Sequence, residues 1–287
     1  MANLHAFPYE ESFMMLGAHI LFRGLHRRCV DEVSDFFSPF VIEPWCMPDI
    51  IIECDWPEIG RYLFRARPAE DKGPLNGVWV HTHQNLSSEE WNMTDPPFPP
   101  FKLAPLSNRF IGLHAAAVQM PDGDCLVIAG HQKAGKTTTA LSLVNKYGGS
   151  LLTDEVVLIH RRTTIVEPFL RAVYVWNTAV QNSEKILTPA NIACQKVSLL
   201  PCRMTKLIFL APNIETTPEQ TLTPMQPSDI FQELIQHHLD WGSTKDEAFV
   251  TLFQLAKNIN AFKFSYQGYE ILQDRIPLML DTYYANK

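Results

Sequence analysis

The run Gly130-His131-Gln132-Lys133-Ala134-Gly135-Lys136-Thr137 satisfies G-x-x-x-x-G-K-[ST] at every required position. Backbone N–H groups can wrap around an anion only where the chain turns tightly and no Cβ obstructs the approach, which is why Gly130 and Gly135 stand where they do. Lys136 adds a mobile positive charge for β- and γ-phosphates, and the Thr137 hydroxyl suits Mg²⁺. His131, Gln132, Lys133, Ala134 and Thr138 complete the set expected to hold the phosphates of ATP or another nucleoside triphosphate.

Such a loop needs a strand to enter it and a helix to leave it. Cys125 to Ala129 is a short apolar run of strand type, and Thr138 to Val144 has helical character. A helix N-terminus therefore faces the anion. The helix is expected to end at Gly148-Gly149, and Ser150 to Thr153 to form a further strand that ends at Asp154 and Glu155. Strand, helix and strand in that order imply a right-handed crossover, which brings both strand ends to one edge of the sheet and turns Asp154 toward the loop. Leu113 to Met120 reads as a strand forming a hairpin with Cys125 to Ala129 about the Pro121-Asp122-Gly123-Asp124 turn. That reading places His114 on the strand paired with the one that feeds the loop.

The rest of the chain supplies scaffolding. A helix is expected from about Glu11 to Leu25, followed by extended segments at Asp49 to Cys54, Arg61 to Arg65 and Gly77 to His81. Four prolines in Asp95 to Phe101 can continue neither helix nor central strand, so a boundary is expected there. It separates a β-rich N-terminal segment, residues 1–107, suited to substrate recognition, from residues 108–287, which carry the loop. Downstream, a helix is expected over Ser228 to Leu239. A capping box of Thr244 and Glu247 precedes an apolar face of Phe249, Leu252, Phe253, Ala256 and Ile259, read as core. Phe262 to Tyr266 is a strand, and Glu270 to Tyr283 a closing helix.

Composition excludes several classes. The net charge of -7 and pI near 5.8 argue against a nucleic-acid surface. No apolar run approaches eighteen residues, and the N-terminus lacks a signal-peptide pattern, so no membrane partner is expected and the location expected is cytoplasmic. The six cysteines form no C-x-x-C pair and read as buried reduced thiols. His81-x-His83 and His237-His238 with Asp240 lack the companions of a metal site.

Asp154 follows Lys136 by only eighteen positions. With His114 ahead of the loop and the Asp154-Glu155 pair behind it, the chain resembles the HPr kinase/phosphorylase family. That family places a His on the strand before its P-loop and an Asp-Asp pair at the next strand end. The phosphoenolpyruvate carboxykinases, which share that core, are similar in following a G-K-T-T loop soon after with acidic residues. Glu167 to Trp176 also looks like the Pro-x-x-x-Arg-x-x-Trp region of HPr-kinase-like proteins associated with peptide maturation, lasso peptides included, and marks Arg171 as a candidate contact for phosphate or an acidic substrate. The resemblance spans Leu113 to Pro212, about a third of the chain. His131-Gln132-Lys133 departs from the family's Ser-Gly loop, Glu155 replaces the second Asp, and no E-I-R-G-L-G signature is present, which favours a plain kinase over a reversible one.

The resemblance implies an α/β fold: a P-loop kinase core of the HPr kinase/phosphoenolpyruvate carboxykinase type, with a mixed sheet, behind the β-rich N-terminal segment. It implies an ATP- and Mg²⁺-dependent phosphotransferase in which Asp154 is the base and His114 orients it or the acceptor. Glu155 then helps Thr137 and Asp154 hold Mg²⁺, directly or through water. The two acids can exchange roles. The acceptor expected is a Ser or Thr hydroxyl of a protein or ribosomal peptide precursor. A small-molecule kinase and a non-enzymatic, nucleotide-gated binding protein are the alternatives, and homo-oligomers are common in the resembling family.

Overall fold

A computed structural model of the chain describes residues 7–58, 61–69, 78–82, 109–176, 185–212, 221–239, 244–266 and positions 276, 277, 280, 281 and 284. The Asp95–Phe101 run, His83, Asp240 and most of Glu270–Tyr283 lie outside these residues. The protein is a mixed α/β structure rich in strands and with few helices. It divides into two compact units, Met1–Leu106 with Arg171–Ala190, and Ser107–Leu170 with Asn191–Lys287.

In the first unit, β1 (Tyr9–Met15) and β2 (Ala18–Gly24) pair antiparallel where the sequence reading expects a helix. The physical reason is the turn between them. Leu16 and Gly17 both take positive φ, 55° and 66°, and such a two-residue turn has the twist a hairpin needs. Phe13, Met15, Ile20 and Phe22 are all buried, a spacing of two that fits strand better than helix. Next comes α1 (Arg27–Phe36), which buries Cys29, Val30, Val33 and Phe36. The three expected extended segments lie in β3 (Ile50–Glu58), β4 (Arg61–Pro68) and β5 (Val78–Thr82), which complete a sheet of order β1-β2-β3-β4-β5.

The second unit contains β6 (Phe110–Leu113), β7 (Ala115–Gln119), β8 (Cys125–Gly130), α2 (Lys136–Tyr147), β9 (Ser150–Thr153), β10 (Val157–His160) and β11 (Ile165–Glu167). The chain then returns to the first unit as the antiparallel pair β12 (Val173–Trp176) and β13 (Lys185–Thr188). After the short α3 (Ala190–Ala193), the second unit continues with β14 (Cys202–Pro212), β15 (Thr221–Pro224), α4 (Pro227–Gln236), β16 (His238–Leu239), α5 (Lys245–Asn258) and β17 (Asn260–Tyr266). The helix expected to run to Leu239 stops at Gln236, and His238 and Leu239 pair with β6 instead.

Ten strands of this unit form one mixed sheet. Its centre is parallel: β14 runs alongside β8 on one side and β17 on the other, so three strands end at the edge where β8 enters the Gly130 loop. β8 and β9 are not neighbours. Both pair antiparallel with β7, which lies between them, so they run the same way and α2 crosses over β7. The core gathers Leu113, Ala117, Val127, Leu207 and Phe209 from the strands with Leu252 and Ala256 from α5. The Thr244–Glu247 capping box is present at the start of α5. Phe249 and Phe253, read as core from the sequence, are exposed, at 54% and 40%, because the helix turns the face of Ala248, Thr251, Leu252, Leu255 and Ala256 inward instead. Among the described residues no helix is long and apolar enough to cross a membrane.

Candidate phosphate-binding site

Gly130 ends β8 and opens the loop. A Cβ there would meet the Leu210 carbonyl oxygen at 2.9 Å and the Ala134 Cβ at 3.0 Å, so glycine is required by the neighbouring strand as much as by any ligand. The loop turns back at once, with the Ala134 N–H donating to the His131 carbonyl at 3.0 Å. Lys133 and Gly135 take left-handed φ of 67° and 81°. Backbone that alternates hand in this way turns successive N–H groups toward one concavity, the arrangement that binds anions. Gly135 then caps α2, whose first turn carries Lys136, Thr137 and Thr138.

Lys136 is almost buried. Its Nζ donates to the carbonyls of Gly130 and His131, at 3.0 and 3.2 Å, and so spans the loop it follows. Burial lowers its pKa, while Glu155 and then Asp154 act in the opposite direction.

Asp154 and Glu155 occupy the connection from β9 to β10. The Val156 N–H donates to the Asp154 carbonyl at 2.9 Å and Glu155 has φ of 69°, the features of the rarer, strained γ-turn. A glutamate with left-handed backbone is uncommon, and such residues cluster at functional sites. The turn sends the two acids to different partners. The Thr137 hydroxyl donates to Asp154, with oxygens 3.1 and 2.9 Å from the carboxylate pair, whereas Glu155 Oε2 lies 2.9 Å from His114 Nε2.

This geometry corrects one expectation. His114 does not lie within a strand; it is the interruption between β6 and β7. Of the two acids, Glu155 and not Asp154 is the one its Nε2 meets. Both features have one cause. β7 pairs with β9 and β6 with β10, the register is continuous across the gap (Ala117 opposite Thr153, Leu113 opposite Val157), and the ladder is broken on both chains at the same level. The imidazole and the carboxylate meet across that break.

A pocket of about 430 Å³ lies over the loop, lined by His114, His131, Lys133, Lys136, Glu155 and His237. His237 has a sequence signal only as half of a His-His pair. It follows α4, gives its carbonyl to the His114 N–H at 2.7 Å, and stands with its ring 5.3 Å from that of His131. Burial first, then the nearby His131, Lys136 and His114, push its pKa down to about 4. The ring is therefore neutral at physiological pH, and its 3.7 Å approach to Glu233 is not an ion pair there. Tyr266 carries no sequence signal at all. Its hydroxyl donates to the Ala134 carbonyl at 2.6 Å from a position 132 residues away, a contact that no local pattern can announce.

Other candidates fall elsewhere. Arg171 belongs to the first unit, where its guanidinium lies 5.8 Å above the Phe36 ring, and it does not line the pocket. Among the described residues no three His, Cys, Asp or Glu side chains gather as metal ligands. None of the six cysteines is in a disulfide; Cys46 is exposed and the other five are buried. A larger open cleft, about 980 Å³, lies at the far end of β10 beside Arg109, Arg161 and Arg162, remote from the loop, and Arg161 there is paired with Glu247 at 3.0 Å.

No family model matches the chain. No curated protein matches it either. Among solved structures, the chain is similar to the Hpr(Ser) kinase/phosphatase from Coxiella burnetii at 16% identity and a TM-score of 0.31, over 61% of this chain and 94% of that one. A likeness at that TM-score carries no functional argument; the loop and its neighbours carry it.

Proposed function

We propose that the protein is an ATP-dependent kinase that transfers the γ-phosphoryl group to a hydroxyl, in the first instance a Ser or Thr side chain of a protein or ribosomal peptide precursor. The observation that carries this reading is the division of labour around the loop: Thr137 with Asp154 on one side, His114 with Glu155 on the other. A module that only binds nucleotide needs the first pair. A second, separately oriented acid and imidazole facing the same pocket suits proton removal from an acceptor.

Thr137 and Asp154 present hard oxygen donors in contact with each other, the donor set Mg²⁺ takes, and they are the residues that would hold it. When bound, Mg²⁺ supplies charge neutralisation to the β- and γ-phosphate oxygens. The loop amides and Lys136 hold the phosphates and meet the charge that develops on them. Glu155 accepts the proton of the attacking hydroxyl, and His114, bonded to it through Nε2, fixes the carboxylate's direction. His237 adds a neutral wall to the acceptor side. The bond that forms joins the acceptor oxygen to phosphorus, and the bond that breaks joins phosphorus to the β,γ-bridging oxygen, which leaves with ADP.

The test is incubation with γ-labelled ATP and Mg²⁺ alongside peptides encoded by neighbouring genes and, separately, a metabolite pool. Label on a Ser or Thr of a peptide is the expected result. Label only on metabolites assigns a small-molecule kinase, and nucleotide binding without any transfer assigns a nucleotide-gated binding protein.

A further inference from the structure

The loop is held from a strand outside its own strand–loop–helix unit. β17 is parallel to β14, and its last residue, Tyr266, lies opposite Pro212 at the edge where β8 ends. The Tyr266 ring is buried, 1% exposed, and stacks on Phe264 with centroids 5.8 Å apart. Its hydroxyl donates to the carbonyl of Ala134, itself fully buried, at 2.6 Å. Ala134 lies between Lys133 and Gly135, the two left-handed residues of the loop.

We propose that Tyr266 is a positioning residue that presets the loop for phosphate, an inference that rests on the phosphate-binding reading above. The argument is the planarity of the peptide bond. In a trans peptide the carbonyl and the following N–H point to opposite sides of the chain, so a bond that turns the Ala134 carbonyl toward β17 turns the Gly135 N–H away from it. Without that bond the Ala134–Gly135 peptide, flanked by left-handed residues, can rotate and lose the orientation of its donor. With it, the N–H direction is fixed before any ligand arrives, and binding need not order that peptide. Tyrosine suits this role because stacking anchors the ring and only the hydroxyl reaches the loop.

Tyr266→Phe keeps the stacked ring and removes the donor. Phe264→Leu is its control, loosening the stack while leaving the hydroxyl in place. Two measurements decide: the dissociation constant for ATP with Mg²⁺, and amide exchange of residues 131–135 in the protein without nucleotide. Tyr266→Phe is expected to weaken ATP about tenfold and to speed exchange in the loop, while Phe264→Leu lowers thermal stability and leaves ATP affinity close to wild type. Equal affinity and equal exchange in Tyr266→Phe and wild type would overturn the proposal. So would a loss of affinity in Tyr266→Phe no larger than in Phe264→Leu, since packing would then account for it. If Tyr266→Phe is too unstable to assay under these conditions, its loop exchange is compared with wild type at lower temperature in a stabilising osmolyte, and near-wild-type loop exchange there overturns the assignment. A wild-type chain that binds no nucleotide overturns the parent reading instead, and the nucleotide-free exchange data still decide whether Tyr266 holds the loop.

Discussion

His114 Nε2 and Glu155 Oε2 lie 2.9 Å apart although 41 residues separate them in sequence, and neither sits within a strand. The pair exists because two antiparallel chains break their ladder at the same level. If it is the proton-accepting pair, Glu155→Gln should reduce kcat about a hundredfold or more while ATP affinity stays near wild type. His114→Ala should cost less, and the double variant should cost no more than Glu155→Gln alone, because the two act as one unit. Steady-state kinetics on the labelled acceptor provide the comparison; additive losses would separate their roles.

Asp154 faces Thr137, not His114. Asp154→Asn should therefore raise the Mg²⁺ concentration needed for half-maximal turnover more than about tenfold, and excess Mg²⁺ should restore part of the rate. A Mg²⁺ titration at saturating ATP distinguishes this from loss of a base, which no metal concentration would repair.

His237 should make stability depend on pH. Its pKa falls from an ordinary value near 6.5 to about 4 on folding. The unfolded chain then binds the proton more readily than the folded one between those values, so stability present above pH 6.5 is lost as pH falls toward 4. Discounted for solvent reaching the pocket, the loss should be about 1.5 kcal/mol. Urea unfolding of wild type and His237→Gln across this window should differ in slope, the variant being the flatter of the two.

The α5 capping box gives a control remote from the chemistry. Thr244→Ala removes the hydroxyl that accepts from the Glu247 N–H at 3.3 Å and should cost about 1 kcal/mol of stability. Turnover at a temperature well below melting should not change.

The loop is legible in the sequence because its constraints are local: glycine where a Cβ would strike Leu210, lysine and threonine in the first turn of α2. The capping box and the turn at Pro121–Asp124 are legible for the same reason. What escapes depends on neighbours. The run from Leu113 to Met120, apolar but for His114 and Gln119, gives no sign that β6 and β7 have different partners, so the break at His114 is invisible there. The β1–β2 hairpin reads as helix because Leu16, left-handed in the fold, carries none of the usual turn chemistry. Tyr266 looks like one more strand aromatic until β17 is placed beside β14.

The shared gap in the ladder has a bearing on how such a protein could change its chemistry. Residues 114 and 155 meet side chain to side chain where the main-chain pairing between β6–β7 and β9–β10 is already interrupted. Replacing either side chain removes no rung of the flanking ladders, so the sheet on both sides keeps its register, and the choice at 155 is limited by its positive φ of 69° and not by pairing. That side of the pocket can thus vary in side-chain chemistry while the sheet holds, opposite a loop pinned at Gly130 by Leu210 and at Ala134 by Tyr266.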